Sequence, residues 1–119
     1  MLFRSGLEKA VTAIEDFGLP PLKFEETENS FKVLLFAPKT FAMMSQQERV
    51  DACYQHCIIQ YYGSGGMTNN SLRKRFGVSE RQTSQVSRLI NDVLDIGKIK
   101  PKNPENESKK FAVYVPYWA

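Results

Sequence analysis

Apolar positions change period several times along this chain of 119 residues, and each change marks an element. The clearest run is 79–97, where Val86, Leu89, Ile90, Val93 and Leu94 recur at helical spacing and so build one face for a core. At about 100° per residue the opposite face carries Arg81, Ser84, Arg88, Asp92 and Asp95, with Gln85 and Ser87 on its flanks. That face begins basic and ends acidic. Ser79 with Gln82 three residues on predicts a capping box, and Gly97 supplies a left-handed stop. Upstream, Thr68 caps a short predicted helix over 69–76 whose Leu72 and Phe76 share a face, and Gly77-Val78 turns tightly into Ser79. Downstream, an extended piece over 98–100 leads into a polar, proline-containing loop over 101–108. Phe111, Val113 and Val115 then alternate with Ala112, Tyr114 and Pro116, which predicts a returning strand.

The first half has its own rhythm. Leu7, Ala10, Val11, Ile14 and Phe17 form one stripe of a predicted helix over 5–17, leaving Glu8, Lys9, Glu15 and Asp16 outside, and Gly18 with Pro20-Pro21 ends it. Two strands follow, over 22–27 and 30–36, joined at Glu28-Asn29. Leu34-Leu35-Phe36 is apolar on both faces. A helix and two strands cannot bury that surface by themselves, so this segment is expected to belong to a domain whose earlier part is missing. Ser45 and Glu48 then make a capping box opening a helix over 45–62, with Val50, Cys53, Tyr54, Cys57, Ile58 and Tyr61 as its inner stripe and Ile59 on the far side. Gly63-Ser64-Gly65-Gly66 ends it, and Met67 is placed to form a minor first strand.

Helix, helix, turn, helix, strand, loop and strand is the layout of a winged helix, in which the last helix enters the DNA major groove. The expected fold class is therefore α+β: a winged helix-turn-helix with a three-helix core and β-wing over 45–119, preceded by a helix and β-hairpin over 1–40.

Composition fits one compact domain, or a small domain with a fragment of another. The chain is 42% hydrophobic and 24% charged, and no apolar run approaches the roughly 20 residues that span a bilayer. No membrane segment is expected. With no secretory signal at its start, a cytoplasmic location is the default. Net charge is only +3, but it is unevenly placed: 1–67 carries six Lys/Arg against eight Asp/Glu, and 68–102 carries eight against three. Positive charge gathered on the predicted helix-turn-helix favours phosphate contact with counterion release; the bland reading is a basic face that only keeps the protein in solution.

That pattern nominates specific side chains for duplex DNA. Arg81 and Arg88 are of the type that reads guanine through paired hydrogen bonds, Gln85 of the type that reads adenine, and Ser84 can meet bases or phosphates. Arg73, Lys74 and Arg75 on the preceding helix are candidates for phosphates, and Lys98, Lys100, Lys102, Lys109 and Lys110 for anchoring the wing. Asp92 and Asp95, in the C-terminal half, would stay clear of the groove. The bland reading pairs Arg81 and Arg88 with Glu80, Asp92 or nearby acids.

Other chemistry fits less well. Cys53, His56 and Cys57 lie near one another on a helix, but the chain holds no further Cys or His to complete a structural zinc site. Two buried, reduced thiols and a surface histidine are expected instead. Gly63-Ser64-Gly65-Gly66 is followed by no Lys-Ser/Thr, so it lacks the mechanism of a phosphate loop. No nucleophile, base and orienting group can be picked out, and no catalysis and no cofactor are expected of these residues.

Several short stretches together resemble one bacterial and archaeal family. They are Gly18-Leu19-Pro20-Pro21, Phe24-Glu25-Glu26-Thr27, Phe31-Lys32-Val33, Arg49, Ala52-Cys53-Tyr54-Gln55-His56, Met67-Thr68-Asn69, Ser71-Leu72-Arg73, Arg75-Phe76-Gly77, Ile99-Lys100-Pro101, Asn103-Pro104-Glu105-Asn106 and Tyr114-Val115-Pro116-Tyr117-Trp118-Ala119. Nearly end to end, the chain is similar to the C-terminal portion of proteins labelled ATP-dependent DNA helicase RecG-related, also divergent-AAA transcriptional regulators. The resemblance implies an upstream Alba-like DNA-binding domain, a middle region similar to histidine-kinase-type ATPases whose end is 1–40, and a closing winged helix. It implies duplex DNA and the upstream domains as partners. The helicase label does not carry over to these residues, which hold no nucleotide-binding motif, and the resemblance fixes no base-reading side chain. The alternative is a winged helix that docks protein or forms a homodimer, which an exposed patch at Ile59, Tyr62 or Trp118 would favour.

Overall fold

In the computed structural model the described residues are Glu15, two strands at 23–27 and 30–34, and the stretches 39–104 and 112–119. The strands β1 (Lys23–Thr27) and β2 (Ser30–Leu34) pair antiparallel, with Lys23 opposite Leu34 and Thr27 opposite Ser30. This is the expected hairpin. Of the helix predicted over 5–17 only Glu15 is described, and it is helical; Leu35, Phe36, Lys109, Lys110 and Phe111 also lie outside the described residues.

Three helices follow, each opened by the cap its sequence offers. Ser45 accepts the Glu48 N–H at 3.2 Å and Glu48 accepts the Ser45 N–H at 3.1 Å, so two otherwise orphaned donors are satisfied at the start of α1 (Gln46–Ser64). The Ser45 N–H, together with Lys39, holds the Glu48 carboxyl below its ordinary range. Helix α2 (Asn69–Phe76) repeats the device with Thr68 and Ser71, and Gly77 at φ 68° takes the left-handed turn that stops it. Gly97, at φ 86°, does the same for α3 (Thr83–Ile96).

The start of α3 differs from expectation. Gln82 does reach back to the Ser79 N–H, at 3.2 Å, but its own N–H bonds the Ser79 carbonyl three residues back, so Glu80–Gln82 is a 3-10 turn and the α-helix begins at Thr83.

The strands β3 (Ile99–Pro101) and β4 (Tyr114–Pro116) pair antiparallel, Ile99 opposite Pro116 and Pro101 opposite Tyr114. On its other side Tyr114 exchanges two backbone hydrogen bonds of 2.8 Å with Met67, the minor strand that the sequence predicts. Gly66 makes that approach possible: a Cβ there would collide with the Val113 side chain and lie 2.9 Å from the Tyr114 carbonyl oxygen. The described residues are thus α+β, three helices with two antiparallel hairpins.

One core serves the second half. Val86, Leu89, Ile90 and Val93 of α3 meet Leu72 and Phe76 of α2, Val50, Ala52, Cys53 and Cys57 of α1, and Phe41, Met44, Met67 and Ile99. Each large side chain so buried contributes about 1.5–3 kcal/mol relative to exposure. The buried face of α1 is rotated from the predicted stripe: Ala52 and His56 are inside, whereas Tyr54, Ile58 and Tyr61 are half-buried. Both thiols are free and buried, and burial pushes Cys53 up and Cys57 up to about 12. Among the described residues no helix is long and apolar enough to cross a membrane.

Candidate nucleic-acid interface

Helix α3 turns the side chains nominated from sequence outward because its other face is occupied. With Val86, Leu89, Ile90 and Val93 in the core, Ser84, Gln85 and Arg88 are left exposed, and Arg81 is exposed on the preceding 3-10 turn. Among the described residues neither Arg81 nor Arg88 has an acidic side chain within ion-pair distance. Asp92, one turn beyond Arg88, accepts instead from the Gln46 side chain at 2.9 Å. Ser87 is not part of this face, since its hydroxyl accepts from Asn69 Nδ2 at 2.9 Å and ties α3 to α2.

Beside this face lies an open cleft of about 470 Å³, with Gln85, Arg88 and Asp92 on one wall and Phe41, Gln46 and Arg49 on the other. Arg49 adds a cation that the sequence pattern does not nominate. Its Nε and Nη2 donate to the Phe41 carbonyl at 2.9 and 2.7 Å, and its guanidinium sits 4.0 Å from the centre of the Phe41 ring. Nothing local to Arg49 signals this, because its neighbours across the cleft are some 40 residues away in sequence.

The basic cluster on α2 divides. Lys74 is exposed. Arg73 is half-buried and donates to Asn69 Oδ1 at 2.7 Å, one turn back. Arg75 requires a correction: it is 6% exposed and donates through Nε to Glu15 Oε1 at 2.9 Å, so it is part of the interior and cannot reach a phosphate. Its place at the same face as Leu72 turns it inward, where a carboxylate compensates the buried charge.

Glu15 and His56 require the same correction. His56 is not a surface histidine: it is buried, with Nδ1 at 2.6 Å from Glu15 Oε2 and Nε2 at 3.0 Å from Ser71 Oγ. Carboxylate, imidazole and hydroxyl thus stand in line, a set the sequence did not reveal. Ser71 Oγ is also held by Thr68, accepting from its N–H and donating to its carbonyl, both at 3.0 Å. The hydroxyl is committed to the α2 cap, which fits a structural tie joining Glu15, α1 and α2.

The strand lysines lie elsewhere. Lys98 Nζ is 5.0 Å from the centre of the Tyr54 ring, Lys100 donates to the Ala119 carbonyl, and Lys102 Nζ lies against Gly65 at the end of α1. They line the surface of α1 and the C-terminal residues; Lys109 and Lys110 are outside the described residues. No group of three or more His, Cys, Asp and Glu side chains that could hold a metal occurs among the described residues.

No family model, no curated protein and no solved structure matches this chain.

Proposed function

We propose that 45–119 is a winged-helix module that binds duplex DNA by setting the N-terminal half of α3 in the major groove, and that it serves a larger regulator of the RecG-related kind. The observation that carries this reading is the face made by Arg81, Ser84, Gln85 and Arg88, exposed together and without an acidic partner among the described residues. Phosphates and guanine edges offer what those two guanidinium groups lack. Lys74, exposed on α2, is assigned a phosphate contact, and Asp92 is engaged by Gln46 rather than by either arginine.

The test is fluorescence anisotropy of labelled duplex DNA with the 119-residue chain across a salt series, for the wild type and the Arg81→Ala/Arg88→Ala double variant. Binding is expected to weaken linearly in log–log form as salt rises, and the double variant to bind at least tenfold more weakly at each salt. A folded wild type that leaves the duplex free at low salt would overturn the proposal.

A second reading, a docking or dimerisation module, draws on a different surface. Tyr62, Tyr117 and Trp118 are 74%, 57% and 42% exposed and lie in one aromatic cluster. Sedimentation velocity over a concentration series distinguishes this reading, since a dimer burying these rings would appear at micromolar concentration.

A further inference from the structure

Three tyrosines of α1 and the two aromatic residues that follow β4 converge on one surface. Trp118 Nε1 donates to the Tyr54 hydroxyl at 3.1 Å, fixing the indole; Tyr61 meets it edge-on at 5.7 Å and Tyr62 tilts against it at 6.1 Å. Tyr117 lies nearly parallel to Tyr54, with 6.5 Å between ring centres. A rigid group of rings whose outer members face water costs free energy unless something covers them.

The charge around the rings says what that partner is. Residues 98, 100 and 102 alternate along and just beyond β3, and all three are lysines. Lys98 stands over Tyr54, Lys102 against Gly65 three residues beyond Tyr62, and Lys100 at Ala119 beside Trp118. Each of the three cations thus adjoins a segment that carries these rings, and Lys98 meets a ring directly. Among the described residues no acidic side chain pairs with any of them. A partner complementary to both features offers flat π faces and a regular line of negative charge. Exposed bases on a phosphate backbone have that chemistry, and bases paired within a duplex do not present their faces.

We infer that this surface binds single-stranded DNA, bases stacking on Trp118, Tyr62 and Tyr117 while Lys98 and Lys102 follow the phosphates. The choice of DNA over RNA rests on the duplex reading above; the stacking surface itself does not. The site is separate from α3, so one chain would hold a duplex and an unpaired strand at two places.

Trp118 is the only tryptophan of the chain, so its emission reports on this surface alone. The 119-residue chain is titrated with oligodeoxythymidine of about 12 nucleotides, a length within the usual span of such sites, and folding of every variant is checked by circular dichroism. Saturable quenching of Trp118 is expected, weakened roughly tenfold or more in Tyr62→Ala, which removes an outer ring and keeps the reporter. Lys98→Gln should make the log–log salt dependence shallower by about 0.7. Arg81→Ala/Arg88→Ala should leave the quenching unchanged, whatever becomes of duplex binding. Four outcomes would overturn the inference: no quenching; quenching lost in the arginine variant but kept in Tyr62→Ala; tighter binding of oligouridine than of the deoxy strand; or a concentration-dependent dimer that quenches Trp118 without added DNA.

Discussion

The C-terminal end of α2 and the N-terminal end of α3 both present arginines to a reader of the sequence, and the fold uses them in opposite ways. Arg75 is interior, paired with Glu15, and Glu15 in turn meets His56. Arg81 and Arg88, a few residues later, are exposed and without acidic partners among the described residues. A guanidinium in the interior is held by its compensating carboxylate and contributes to folding; one at the surface with no such partner remains available for a ligand's oxygens. Local charge density alone does not separate the two. What separates them is which face of each helix the apolar residues claim.

This contrast can be broken most directly at Arg75. Arg75→Ala leaves Glu15 and His56 buried without their cation and should cost about 3–5 kcal/mol in urea unfolding, while the folded fraction keeps its duplex affinity. Arg81→Ala/Arg88→Ala should do the reverse, changing stability by no more than about 0.5 kcal/mol. A middle case is Ser71→Ala, which removes the partner of His56 Nε2 and of the Thr68 N–H together; about 1–3 kcal/mol of stability should be lost. The smallest effect is expected one residue from the largest. Lys74→Ala, at an exposed neighbour of Arg75, should leave stability within about 0.5 kcal/mol and reduce the duplex salt slope by about 0.9. Equal losses of stability at Lys74 and Arg75 would erase the distinction between the two surfaces.

Much of the local structure was legible in the sequence because its causes are local. Ser45 and Thr68 open helices, Gly77 and Gly97 close them, and the apolar stripe of α3 decides which side of that helix is buried. The exposure of Ser84, Gln85 and Arg88 follows from that stripe. What escaped depends on contacts between distant residues. Glu15 falls outside the apolar stripe predicted over 5–17, and the reason its side chain is buried lies 41 and 60 residues away, at His56 and Arg75. His56 entered the core for the same reason, so the buried face of α1 is rotated from what hydrophobic spacing indicates. The 3-10 turn before α3 was hidden differently: one Gln82 side chain serves a capping box and a three-residue turn equally well. The aromatic surface was foreshadowed by Tyr62 and Trp118, but its lysine border depends on β4 packing against α1 and on β3 pairing with β4.

The two cysteines, one helical turn apart inside α1, have a practical corollary. Both are buried, and both thiols are held in the protonated form at neutral pH, which leaves a maleimide little thiolate to attack in the folded chain. A cysteine introduced at Ser84 would therefore take a fluorophore at that position alone, with Cys53 and Cys57 left in place. The native core thus comes ready for single-site dye attachment on the very helix whose surroundings one would wish to watch.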